Sequence, residues 1–251
     1  MKNIAIVCDV MKHDLENIVR DKKIENLDFI FMEQHLHNTP DIMRQKLQEQ
    51  ISNINSDYEK IILGYGLCSN GVTELISDNH EIIIPKVDDC ISLFLGSKER
   101  YLELFTKDPA TYYYCKGWIE YGGDPYRGYL LWTGKEDLIP KEWIRKKEIY
   151  GSKRYDENTA RFIITEELKN YKKIVLINND DIEDIHREYL DNMISYLNEV
   201  LEREMILEEI KGSLKFLEKL ALVDIDEKNF LCFKPGQKIL QEYFFSDTNK
   251  V

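Results

Sequence analysis

Short apolar runs alternate with amphipathic stretches along the first third of the chain, and this alternation limits the possible folds more than any other feature. Ile- and Val-rich runs at 3–8, 27–32, 60–64 and 81–84 have the length of strands. Between them, residues 11–22 carry apolar side chains near helical spacing. Thr39 and Pro40 read as the N-cap and first residue of a helix whose apolar stripe is Ile42, Met43, Leu47, Ile51 and Ile54. A short helix is expected from Asn70, and a longer one from Cys90 through Phe105. Strands separated by helices of this length predict a parallel sheet with right-handed crossovers. Asp156–Asn170 and Asp180–Arg203 read as further helices, Lys173–Asn178 as another parallel strand, Met205–Leu220 as a strand and helix, and Asn229–Phe233 as a last strand. The predicted class is α/β: a doubly wound, mostly parallel sheet flanked by helices.

The alternation breaks at about 109–155, where PATYYYCKGWIEYGGDPYRGYLLW has aromatics and glycines without a clean period. A stretch of this length inside a compact domain predicts an ordered excursion, either a lid or binding loop or a cover over the sheet edge. Trp118 and the run Tyr112–Tyr114 are then expected to wall a site from water or to fill the core. With no repeat and no linker, residues 1–251 read as a single domain.

Charge narrows the partners. With 46 acidic against 34 basic residues the net charge is -12, which repels nucleic-acid phosphates and leaves no basic stripe to bind them. No apolar run has the length of a membrane helix, and MKNIAIVCDV passes directly into a strand-like run too short for a signal peptide, so a cytoplasmic protein is expected. The five cysteines are an odd number, and a reducing compartment keeps them as thiols or metal ligands.

Three of them recur at one kind of place. Cys8, Cys68 and Cys90 each stand where a strand-like run gives way to a loop, and in an open α/β sheet ligands bind outside the carboxyl ends of the strands. Three loops would thus bring three thiolates to one point. Cys68 lies in GYGLCSNG, where glycines allow close backbone approach and positive φ. The alternative is three unconnected small residues in turns, since CxxC spacing is absent. The same stretch lacks the lysine of a phosphate-binding loop, and no GxGxxG follows the first strand.

GYGLCSNGV, VDDCISLFLGSKERY and DPATYYYCKGW, taken with the first strand ending in Cys8, LHNTP at 36–40 and FLCFKPGQKI near the end, resemble the bacterial and archaeal family DUF1638 over nearly the whole chain. Ala110 stands where a glycine is common before the Thr-aromatic stretch. The resemblance implies that Cys8, Cys68 and Cys90 belong to the family pattern and that Cys115 and Cys232 do not. It also implies an association with corrinoid-dependent methyltransferases, and so a corrinoid protein or methyltransferase as a partner.

Three thiolates suit a [4Fe-4S] cluster with one iron open for Lewis-acid or sulfur-transfer chemistry on a small molecule, the work of a lyase or sulfur transferase. Zinc is the alternative and needs a fourth ligand: a histidine, for which His13, His35 and His37 are the candidates, one of the carboxylates Asp9, Asp88 and Asp89 beside the cysteines, or a water. Tyr65 is expected to hydrogen-bond substrate or a cysteine sulfur, Asp89 to act as an acid or base or to cap the helix beside it, and Asn70 and Gly71 to offer backbone N–H groups to a bound anion or sulfur. Two other classes stay open. One is a metal-free thiol enzyme with its nucleophile at the helix beginning at residue 90. The other is a protein that handles a corrinoid without turnover.

Overall fold

The computed structural model describes residues 2–121, 124–144 and 154–245. In chain order the regular elements are β1 (Lys2–Cys8), α1 (Lys12–Lys22), β2 (Leu27–Met32), α2 (Pro40–Ser52), β3 (Tyr58–Gly64), β4 (Glu81–Pro85), α3 (Ile91–Leu95), α4 (Lys98–Lys107) and β5 (Thr111–Tyr114). There follow α5 (Lys116–Tyr121), α6 (Pro125–Thr133), α7 (Glu157–Leu168), β6 (Lys173–Asn178), α8 (Asp184–Leu201), β7 (Ile206–Lys211), α9 (Lys215–Leu222) and β8 (Phe230–Phe233). The α/β class predicted from the alternation is the class observed. The strands, however, divide between two sheets, one in each of two compact units: residues 1–101 with 213–251, and residues 102–212.

The first unit carries five strands in the order β2-β1-β3-β4-β8, all parallel except β8, which runs antiparallel to β4. β1 is buried along almost its whole length, as an inner parallel strand covered on both faces must be. Helix α2 packs through Met43, Leu47 and Ile51, all buried, whereas Ile42 of the expected stripe is 47% exposed. Each of those buried side chains contributes about 1.5–3 kcal/mol. Two helix expectations need correction here. Residues 68–74 form turns and no helix, because Cys68, Ser69 and Asn70 all have positive φ, which a right-handed helix cannot contain. The helix expected from Cys90 through Phe105 is two helices, parted at Gly96, whose φ of 80° ends α3.

The second unit carries the parallel sheet β5-β6-β7, so Lys173–Asn178 is the centre of its own sheet. The aromatic-rich segment supplies β5, α5 and α6; residues 122–123 and 145–153 of it lie outside the described residues. Tyr114, Tyr126, Tyr129, Trp143 and Tyr189 form the core of this unit, and Tyr112 and Trp118 pack against it. In this segment aromatic rings share the core positions with Ile119, Leu130 and Leu131, which is why no clean helical period shows in the sequence. At the middle of this core Arg127 is buried and donates to the carbonyls of Ile119 (3.0 Å) and Trp143. Asp124 caps α6 by accepting the Arg127 N–H at 2.9 Å and the Tyr189 hydroxyl at 2.9 Å.

Candidate functional site

The strand order of the first unit places a topological switch between β1 and β3, because the chain passes from β1 to β2 on one side and to β3 on the other. Cys8 closes β1 there, buried and level with Met32 of β2. β3 ends at Gly64, opposite Val7, and its loop carries Tyr65 and Cys68 along the same edge. Beyond the strands the pairing continues: Leu67 N–H donates to Val87 O at 2.9 Å and Cys68 N–H to Asp88 O at 3.0 Å. Such close approach requires glycine at 66, since a Cβ there would stand 2.8 Å from the Asp89 backbone. This stitching sets Cys68 beside Cys90, the residue preceding α3, with the two sulfurs 3.8 Å apart.

The turn that carries Cys68 is strained. Three successive residues other than glycine, Cys68, Ser69 and Asn70, have φ of 46°, 55° and 67°, which costs about 1–2 kcal/mol at each of the first two. It is held from α2 by Arg44, whose guanidinium donates to Thr73 O at 2.8 Å and Asn70 O at 3.0 Å. Thr73 adds its hydroxyl to Asn70 O at 2.9 Å, and Gly71 N–H donates to Cys68 O at 2.9 Å. Gly71 therefore has its N–H engaged within the turn, and the expected offer of N–H groups from a helix opening at Asn70 is corrected accordingly. The Asn70 side-chain oxygen is buried and takes no hydrogen bond from the described residues. Strain of this kind, held in place by surrounding contacts, collects at functional sites.

Tyr65 is 3% exposed, and its hydroxyl has no hydrogen-bond partner among the described residues. Burial, then the fields of Cys8, Cys90, Cys68 and Asp9, push its pKa well above the ordinary phenol range, which keeps it a protonated hydroxyl. The Cys68 thiol is also pushed well up, first by its contact with Cys90 and then by burial. Asp89 accepts the Ile91 N–H at 2.8 Å at the start of α3, a capping contact, while burial raises its carboxyl above the usual range.

The remaining candidates are placed as follows. His13 lies in the first turn of α1. His37 spends its Nδ1 on Gln34 O at 2.7 Å, within its own turn, and the side chain of His35 lies outside the described residues. Cys115 is buried after β5 in the second unit, and Cys232 is exposed on β8 opposite Ile83, away from the carboxyl ends. Among the described residues no three His, Cys, Asp or Glu side chains stand together closely enough to hold a metal ion. The thiol pair nevertheless fits two positions of such a site: two thiolates on one tetrahedral ion with bonds of about 2.3 Å stand about 3.8 Å apart. Arg44 and Thr73 were not legible in the sequence, because what they grip is backbone carbonyl.

A family model described as "Protein of unknown function (DUF1638)" matches residues 31–221, about three quarters of the chain. The chain belongs to the DUF1638 family. The match takes in Cys68 and Cys90 and the whole second unit, and it begins after Cys8 and ends before Cys232. No curated protein matches this DUF1638 chain, and no solved structure does.

Proposed function

We propose that this protein binds a soft metal through Cys68 and Cys90, with Cys8 as third ligand, and keeps one coordination position open for a small-molecule substrate. The observation that carries this reading is the 3.8 Å separation of the Cys68 and Cys90 sulfurs at the switch point of the parallel sheet. That span supports a single tetrahedral ion such as zinc over the [4Fe-4S] cluster favoured by the sequence, because a cubane binds each thiolate to a different iron and holds the sulfurs farther apart. Cys8 completes the set by turning its side chain toward the pair. The bound ion would supply Lewis-acid polarisation of the substrate.

The chain's own residues have distinct tasks in this reading. Tyr65 donates its unmatched hydroxyl proton to the group in the open position, Asp89 fixes the start of α3 and so the place of Cys90, and Arg44 holds the turn of Cys68. A metal-free nucleophile is a poorer fit, because burial and Cys90 keep the Cys68 thiol protonated. Thiolate ligation calls for a reducing compartment, which is the cytoplasm. Among the described residues no helix is long and apolar enough to cross a membrane.

The test is metal and acid-labile sulfide analysis of protein purified without oxygen. One zinc per chain, absent from Cys68→Ser and Cys90→Ser, diminished in Cys8→Ser and retained by Cys232→Ser, supports the reading. Iron with sulfide restores the cluster, and cobalt with a corrinoid spectrum supports the cofactor-handling role implied by the family resemblance. Equal metal content in all four variants refutes the shared site.

A further inference from the structure

We infer that Cys68 and Cys90 are also a redox pair: a hydroperoxide joins them as a disulfide and thereby empties the metal position they share with Cys8. The inference rests on the metal reading above. Its basis is geometric. The sulfurs stand 3.8 Å apart, and a disulfide bond is about 2.05 Å, so closure requires a movement of about 1.8 Å. The Leu67–Val87 and Cys68–Asp88 hydrogen bonds hold the two segments side by side. Both residues are half-buried, whereas Cys8 and Cys115 are buried.

The chemistry balances with the peroxide as the only co-reactant. In the zinc-loaded protein the ion holds both sulfurs as thiolates; one attacks a peroxide oxygen, the O–O bond breaks, and a sulfenic acid and, once the leaving oxygen is protonated, an alcohol or water result. The second thiolate attacks the sulfenic sulfur, the S–S bond forms, and hydroxide leaves to become water. Two thiols are oxidised by two electrons and the peroxide is reduced by two. A disulfide sulfur has no thiolate charge to give a metal, so closure removes two of the three ligands at once and the ion departs. Reduction by a dithiol reverses the step.

The experiment treats the zinc-loaded full chain with hydrogen peroxide in the absence of reductant. A chromophoric chelator follows zinc release, and peptide mapping by mass spectrometry locates the sulfur chemistry. The expected result is one Cys68–Cys90 disulfide for each zinc released, with zinc binding restored by dithiothreitol and fresh metal and no change in Cys115→Ser or Cys232→Ser. Zinc retained with no link between Cys68 and Cys90 overturns the redox pair and leaves the metal site standing. Release accompanied by sulfinic acid at either residue, or by a disulfide to another cysteine, also overturns it. A chain that never takes up zinc yet forms the link overturns the metal reading and the release together.

Discussion

Arg44→Ala should release the turn that carries Cys68, and the size of the effect follows from the contacts it removes. The turn holds three consecutive left-handed residues, of which Cys68 and Ser69 cost about 2–4 kcal/mol together and Asn70 tolerates the conformation. Arg44 offsets that cost with two hydrogen bonds from a charged donor to backbone carbonyls, each worth about 1.5–3 kcal/mol. Its side chain is 30% exposed, so the low end of that range applies, and its ion pair with the exposed Asp41 adds little. The net loss is about 2–3 kcal/mol, concentrated where Cys68 must be held. Because 1.4 kcal/mol is about tenfold in affinity, zinc should bind about 30- to 140-fold more weakly. Competition with a chromophoric chelator measures this, with Asp41→Ala as the control that should bind like the parent protein and Arg44→Lys falling between. Unchanged zinc affinity in a folded Arg44→Ala protein would refute the claim that this clamp sets the thiol geometry.

Tyr65→Phe removes a buried hydroxyl that has no partner among the described residues, so the metal-free protein should hold or gain about 1 kcal/mol in stability while the visible bands of the cobalt-substituted protein shift; identical bands would remove Tyr65 from the site. Gly66→Ala places a Cβ 2.8 Å from the Asp89 backbone and should lower stability by about 1–3 kcal/mol in thermal melts, with metal uptake falling in parallel, whereas a protein of unchanged melting temperature would show that the loop has room. Burial raises the Asp124 carboxyl above its ordinary 3.8. A raised acid stabilises the fold in its protonated form, fully below that ordinary value, and this contribution is lost as pH rises through the folded value. Asp124→Asn should therefore flatten the pH dependence of the second unit's hydrogen-exchange protection above pH ~4, and an unaltered slope would count against a buried carboxylate there.

How far the sequence could be read depended on which interactions carried the information. β1 and β3 announce themselves because both faces are covered and the apolar run is unbroken, and the helical period of α2 comes from the side that packs, through Met43, Leu47 and Ile51. β5 and α6 do not, since their core positions are tyrosines and a buried arginine whose hydrogen bonds are made only in the folded chain. Division of the strands into two sheets is likewise a matter of which edges pair, and the pattern of one strand does not state its neighbour. At the site, the strand-end position of Cys8, Cys68 and Cys90 was legible from chain order. The left-handed turn was not: Cys68, Ser69 and Asn70 include only one residue that favours such a conformation, and the turn exists because Arg44, distant in sequence, grips its carbonyls.

The most direct measurement of the central claim is X-ray absorption at the metal edge of the loaded protein. The account predicts a zinc edge with three sulfur neighbours at about 2.3 Å and one lighter atom completing the tetrahedron, with two sulfurs left in Cys8→Ser. A first shell of nitrogen and oxygen alone, or a sulfur count unmoved by that substitution, would contradict it.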